Sequence, residues 1–154
     1  MRKIFAAVVF LLAFPAHALD SVSVELGRGG DDVNLLRAGA QWQWKNGWGY
    51  WEASAGAWTS DRNTVYDLGM TPVFRIGRAW YAEAAIGVHF LSSNAIEARR
   101  DFATHFQFGD HIGVGYRART YDIGLRLQHL SNGGIENPNP GINFLILRVA
   151  RQLD

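Results

Sequence analysis

The chain has 154 residues, 48% of them hydrophobic and 13% aromatic, with a formal net charge of +1 and no cysteine. That length suits one domain. The missing cysteines exclude a disulfide framework and any thiol chemistry, the near-neutral charge argues against a nucleic-acid partner, and the aromatic content argues against disorder.

Arg2 and Lys3 form a basic start, residues 4–14 an apolar run, and Ala16, His17 and Ala18 a small-x-small cleavage site. These features predict a secretory signal peptide over 1–18. The apolar run is too short for a helical membrane span of roughly 20 residues. The remaining chain, 19–154, loses Arg2 and Lys3. It keeps 13 basic residues (Lys45 and 12 Arg) against 14 acidic ones, a net of −1.

From there alternation dominates. It predicts strands near 20–27, 34–44, 48–59, 64–76, 79–91, 104–117, 120–131 and 142–152. In the fifth, Trp80, Ala82, Ala84, Ile86, Val88 and Phe90 share one face. In the sixth, Phe106, Phe108, Ile112, Val114 and Tyr116 share a face with Asp110. In the seventh, Tyr121, Ile123, Leu125 and Leu127 do so. The opposite faces carry Glu25, Arg37, Asp67, Arg75, Glu83, Asp122, Arg126 and Arg148, and on this register His89, His105 and His111. So many charges suit a small dry core only if they pair internally. The three histidines read as hydrogen-bonded interior residues rather than a metal site.

The connections alternate between short and long. Short ones lie at 45–47, 77–78 and 118–119, longer ones at 28–33, 60–63, 92–103 and 132–141. Outer-membrane barrels have short periplasmic turns and longer external loops. Trp42, Trp44, Trp48, Trp51, Trp80, Tyr81, Tyr116 and Tyr121 gather at the short turns, as an interfacial girdle would. The predicted fold is therefore all-β: an eight-stranded antiparallel transmembrane β-barrel. The terminal Gln152, Leu153 and Asp154 depart from the aromatic ending common in such barrels. Gly27, Gly29 and Gly30 lack the strand-to-helix context of a dinucleotide loop.

The chemistry gathers at the end of the seventh strand. His129 and Ser131 are two apart, so they share a face. They continue the apolar line that should meet lipid, where a polar group lacks partners. This pair suits nucleophilic catalysis, with imidazole taking the hydroxyl proton. Alternation through Leu145, Leu147 and Val149 puts Asn143 on the lipid-facing side of the eighth strand, near the same rim. An amide there can orient the imidazole. Glu136, in the loop, is the acidic alternative. Asn132, Gly133 and Gly134 offer an oxyanion hole through an amide side chain and close-approach backbone N–H groups. Arg28, Arg62, Arg99 and Arg100 fall in the long loops, and Arg suits phosphate recognition.

The string His129-Leu130-Ser131-Asn132-Gly133-Gly134-Ile135, followed by Pro138-Asn139-Pro140-Gly141-Ile142-Asn143-Phe144, resembles the lipid A 3-O-deacylase (PagL) family. The resemblance implies an outer-membrane serine esterase that removes the 3-hydroxyacyl chain at position 3 of lipid A in lipopolysaccharide. His129 would be the general base and Ser131 the nucleophile, and Asn132 would lie close to the oxyanion. Asn143 stands where the best-known family pattern has a glutamate, which leaves His129 without a charged partner at that position. No cofactor and no metal are expected. The partners implied are lipid A or lipopolysaccharide and outer-membrane lipid, with no nucleic acid, and a homodimer is left open. The site would lie at the external leaflet of the bacterial outer membrane. The alternative is a non-catalytic small barrel serving adhesion or envelope integrity. A pore ranks last, because eight strands leave an interior filled by side chains.

Overall fold

The computed structural model describes residues 19–97 and 100–153. The predicted signal peptide, Arg99 and Asp154 lie outside the described residues. The strands are β1 (Ser21–Gly29), β2 (Asn34–Gln43), β3 (Gly49–Thr59), β4 (Thr64–Gly77), β5 (Trp80–Leu91), β6 (Ala95–Glu97), β7 (Arg100–Asp101), β8 (Phe106–Arg117), β9 (Tyr121–Ser131) and β10 (Ile142–Gln152). Eight of them close an antiparallel barrel in the order β1-β10-β9-β8-β5-β4-β3-β2. Each predicted strand corresponds to one barrel strand. The short β6–β7 hairpin is additional. It sits within the long segment between β5 and β8 and carries no alternation of its own that marks it as a strand pair.

The barrel is inverted relative to a soluble protein. Leu68, Phe74, Ile76, Ile86, Ile112, Val114, Leu125 and Leu127 are exposed on the outside, while Glu25, Arg37, Asp67, Glu83, Asp122, Arg126 and Arg148 are buried inside. The internal charges pair with one another. Arg126 bonds Glu83 at 2.7 Å and Glu52 at 2.9 Å, and also meets Glu25. Arg37 bonds Asp67 at 2.8 Å, Arg75 bonds Glu83 at 2.7 Å, and Arg148 meets Asp122 at 3.1 Å. A buried charge needs such a partner, because desolvation otherwise costs several kcal/mol per ion, on the order of 3–5 when one partner of a pair is lost.

The charged interior does not run the whole length of the barrel. At the long-loop end, Val33, Leu35, Trp58, Val65, Leu91, Ile96, Phe102, Leu130, Ile142, Phe144 and Ile146 form an apolar plug. Phe102, between the β6–β7 hairpin and β8, packs edge-on against Trp58 with ring centroids 6.0 Å apart. Ile96 and Phe102 thus fill the lumen at its long-loop end.

Two expectations about side-chain placement are corrected. Tyr81 is not a girdle residue. It is buried in the lumen, bonded through its hydroxyl to Asp122 and covered by the Arg75 guanidinium 3.8 Å from its ring. An inward phenol here fills space between charges and satisfies one of them. His105 is not a lumen residue, because β8 starts only at Phe106 and the alternation does not reach back to it. It stacks on the outward Phe90 at 5.8 Å and bonds the Leu91 carbonyl at 2.8 Å. His89 and His111 do face the lumen, next to Asp67 at 2.8 Å and Glu83 at 3.7 Å. Trp48, Trp51, Trp80, Tyr116 and Tyr121 are exposed near the short turns, as a girdle requires.

Candidate active site

Strand register builds the site. Asn143 of β10 is the direct partner of His129 on β9. His129 is in turn the direct partner of Asp110 on β8, and Asp110 that of Ile86 on β5. Ile86, Asp110, His129 and Asn143 therefore form one row across four adjacent strands. Ser131 stands one step nearer the loops, opposite Phe108. The residues between them point inward and anchor the backbone. Leu130 is wholly buried, and Ile142 and Phe144 are nearly so, all within the apolar plug. Burial of those alternate positions holds His129, Ser131 and Asn143 on the outer face.

His129 Nδ1 lies 2.7 Å from Asn143 Oδ1. That oxygen can only accept, so Nδ1 carries the proton and Nε2 is the free base of the ring. The ring then reaches over Gly141. A Cβ at residue 141 would come within 2.7 Å of His129 Cε1 and 3.1 Å of Nε2. Gly141 also has φ +57, in the left-handed region that favours glycine. Its carbonyl accepts a 2.5 Å hydrogen bond from Arg100 Nη1, and the same guanidinium holds Asp31 of the first long loop. Arg100 thus ties two loops to the start of β10.

Among the described residues Ser131 Oγ makes no hydrogen bond, so the expected contact with His129 is not formed here. The imidazole is drawn sideways to β10, where Asn143 binds it and Gly141 leaves room. Glu136 does not reach His129. It is exposed in the loop, and its backbone carbonyl accepts from Asn132 Nδ2 at 2.7 Å.

Asn132 is wholly buried, because the alternation that turns Ser131 outward turns residue 132 inward. Its Nδ2 bonds the carbonyls of Phe102 and Glu136, its Oδ1 accepts from Gly134 N–H at 2.8 Å, and its own N–H donates to Asn139 Oδ1 at 3.0 Å. Asn132 and Asn139 therefore shape the loop, a role the sequence reading did not assign. Of the three expected oxyanion residues, Gly133 alone keeps a backbone N–H without a partner among the described residues.

Arg28 is held by Asp32 at 2.5 Å and Asn34 at 2.6 Å, and Arg100 by Asp31 and Gly141, so both serve loop structure. Arg62 stays exposed in the loop between β3 and β4. On the outer wall, Ile86 and Asp110 of the row together with Phe74, Ala84 and Ile112 line a shallow groove of about 480 Å³. Its floor is low because Ala84 is small between large neighbours.

The chain is similar to known proteins over most of the barrel. The model of the family described as "Lipid A 3-O-deacylase (PagL)" matches residues 35–152. A lipid A deacylase PagL of Pseudomonas aeruginosa is 30% identical, over 92% of this chain and 94% of that protein. A lipid A deacylase PagL of Bordetella bronchiseptica is 38% identical over 66% of this chain, and the match spans 60% of that protein's length. The crystal structure of the outer membrane enzyme PagL superposes with a TM-score of 0.76 at 28% identity, over 84% of this chain and 97% of the other. Neisserial surface protein A, at 11% identity and a TM-score of 0.59, shares the barrel alone. The chain belongs to the lipid A 3-O-deacylase (PagL) family, whose fold is that of an outer-membrane enzyme.

Proposed function

We propose that this barrel hydrolyses the ester that holds the 3-hydroxyacyl chain at position 3 of lipid A, with Ser131 as nucleophile and His129 as general base. The observation that carries the reading is the 2.7 Å bond from His129 Nδ1 to Asn143 Oδ1 on the outer, lipid-facing wall. It sets the tautomer that a base acting through Nε2 needs.

Ser131 Oγ attacks the ester carbonyl while its proton passes to Nε2. The carbonyl oxygen becomes an oxyanion, and Gly133 N–H is the donor that the resting loop leaves free to meet it. Collapse breaks the bond to the sugar oxygen, which takes the proton back from Nε2. Water activated by His129 then cleaves the acyl–Ser131 ester and frees the fatty acid. Apo geometry need not hold the Ser–His contact, because catalytic hydrogen bonds often tighten only once substrate is bound.

Substrate arrives laterally from the outer leaflet, since His129 and Ser131 face lipid rather than the lumen. The apolar wall and the groove beside Ala84 offer a bed for acyl chains. All the residues named belong to one chain, so the reaction requires no homodimer. A non-catalytic barrel, the alternative raised by the sequence, gives no reason for a polar row on a hydrocarbon-facing wall. The test is kinetic: on purified lipid A in detergent, His129→Ala and Ser131→Ala should each lose hydrolysis nearly completely, and wild-type turnover in either would overturn the roles.

A further inference from the structure

Asp110 is the one carboxylate on the outer face of the eight barrel strands among the described residues. Glu25, Glu52, Asp67, Glu83 and Asp122 all point inward and are buried in ion pairs. Asp110 is exposed. Its outward neighbours along the strand, Phe108 and Ile112, are apolar and exposed, as is Ile86 across the ladder. It makes no hydrogen bond or ion pair among the described residues. A carboxylate facing hydrocarbon is costly and marks function when it persists. Its place is specific: it is the direct cross-strand partner of His129. Such partners have Cβ atoms about 4.5–5.5 Å apart.

The rest of the row explains why a charge belongs there. Asn143 orients the imidazole but is neutral, so it does little to stabilise the imidazolium that forms when His129 takes the Ser131 proton. The other groups around the ring do not supply the charge. On its own strand the outward neighbours are Leu127 and Ser131. At the start of β10, Arg100 sits on the Gly141 carbonyl with its charge met by Asp31. Glu136 is exposed in the loop and makes no contact with the ring. From the β8 side the only charged group is Asp110.

We propose that Asp110 is a positioning residue that supplies, from the opposite strand, the negative charge that Asn143 lacks. This rests on the reading of His129 as general base. Asp110 takes no part in the proton transfer. The proton moves from Ser131 Oγ to His129 Nε2 and on to the sugar oxygen. The carboxylate stabilises the cation in between. The division of labour is unusual for a triad: one strand neighbour fixes the tautomer and the other supplies the charge.

The test is steady-state kinetics on purified lipid A in detergent micelles. Asp110→Asn should lower kcat by about 10- to 100-fold, the effect of removing an opposite charge within about 4–6 Å, with KM nearly unchanged. Asp110→Glu should retain most turnover. Adding Asn143→Glu to Asp110→Asn should restore kcat by putting the charge on the other neighbour. Wild-type kcat in Asp110→Asn would overturn the proposal, as would a change in KM alone or a failure of Asn143→Glu to restore turnover. His129→Ala, run in parallel, separates the two claims. If it is inactive while Asp110→Asn is normal, only the role of Asp110 fails. If it is active, the base itself is misassigned.

Discussion

His129 and Asn143 are direct partners across β9 and β10, and the 2.7 Å bond between Nδ1 and Oδ1 makes a pair of neutral side chains out of what a carboxylate would make an ion pair. The proton on Nδ1 fixes which nitrogen is basic. The amide contributes orientation and little charge.

Asn143→Ala should therefore lower kcat by about tenfold or more while leaving KM close to wild type, since only the transition state feels the tautomer. Asn143→Glu should keep or raise kcat. Glu136→Gln should match wild type, because the Glu136 side chain does not reach the ring. Loss of hydrolysis in Glu136→Gln with retention in Asn143→Ala would transfer the orienting role to the loop. Rate measurements on the three variants decide it.

Gly141→Ala should impair the enzyme by two routes. The new Cβ would fall 2.7 Å from His129 Cε1, so the ring must leave its position over residue 141. The backbone at φ +57 also disfavours any side chain, by roughly 1 kcal/mol. Turnover should drop by at least about tenfold, a loss of about 1.4 kcal/mol in transition-state stabilisation, while the barrel still folds. Arg100→Ala should show a smaller loss in the same direction, because it frees the Gly141 carbonyl and Asp31. Kinetics together with far-UV circular dichroism separate local displacement from unfolding.

Arg126→Leu tests the lumen. Arg126 is the shared partner of Glu25, Glu52 and Glu83. Removing it leaves buried carboxylates undercompensated and should destabilise the barrel by about 3–5 kcal/mol. The site lies on the opposite face of the wall, so kcat of the folded fraction should stay near wild type. Denaturant unfolding in detergent gives the first quantity and activity per folded protein the second.

The barrel was legible because its two faces differ so sharply in chemistry: the alternation Trp80, Ala82, Ala84, Ile86 against Tyr81, Glu83, Ala85, Gly87 fixes both strand and register parity. The outward placement of the candidate site residues was legible for the same reason. His129, Ser131 and Asn143 interrupt apolar lines, and parity alone puts all three on the outer face. Parity also placed Asp110 on the outer face, but not opposite His129. Cross-strand register depends on how loop lengths and barrel stagger combine, and neither is written in a single strand. The loop roles were not legible. Asn132 looks like an oxyanion donor beside Ser131, yet its inward parity commits it to the carbonyls of Phe102 and Glu136. His105 failed where alternation was carried past the end of its strand. Arg100 came to the site through a hairpin whose two short strands are too brief to show a period.

The most direct measurement is mass spectrometry of lipid A from cells of a Gram-negative host expressing the chain with Ser131 intact or changed to Ala. The intact chain should yield lipid A lighter by one 3-hydroxyacyl group from position 3, and Ser131→Ala should leave lipid A at its original mass with the barrel still in the outer membrane. Deacylated lipid A in cells carrying Ser131→Ala would contradict the serine mechanism on the outer wall.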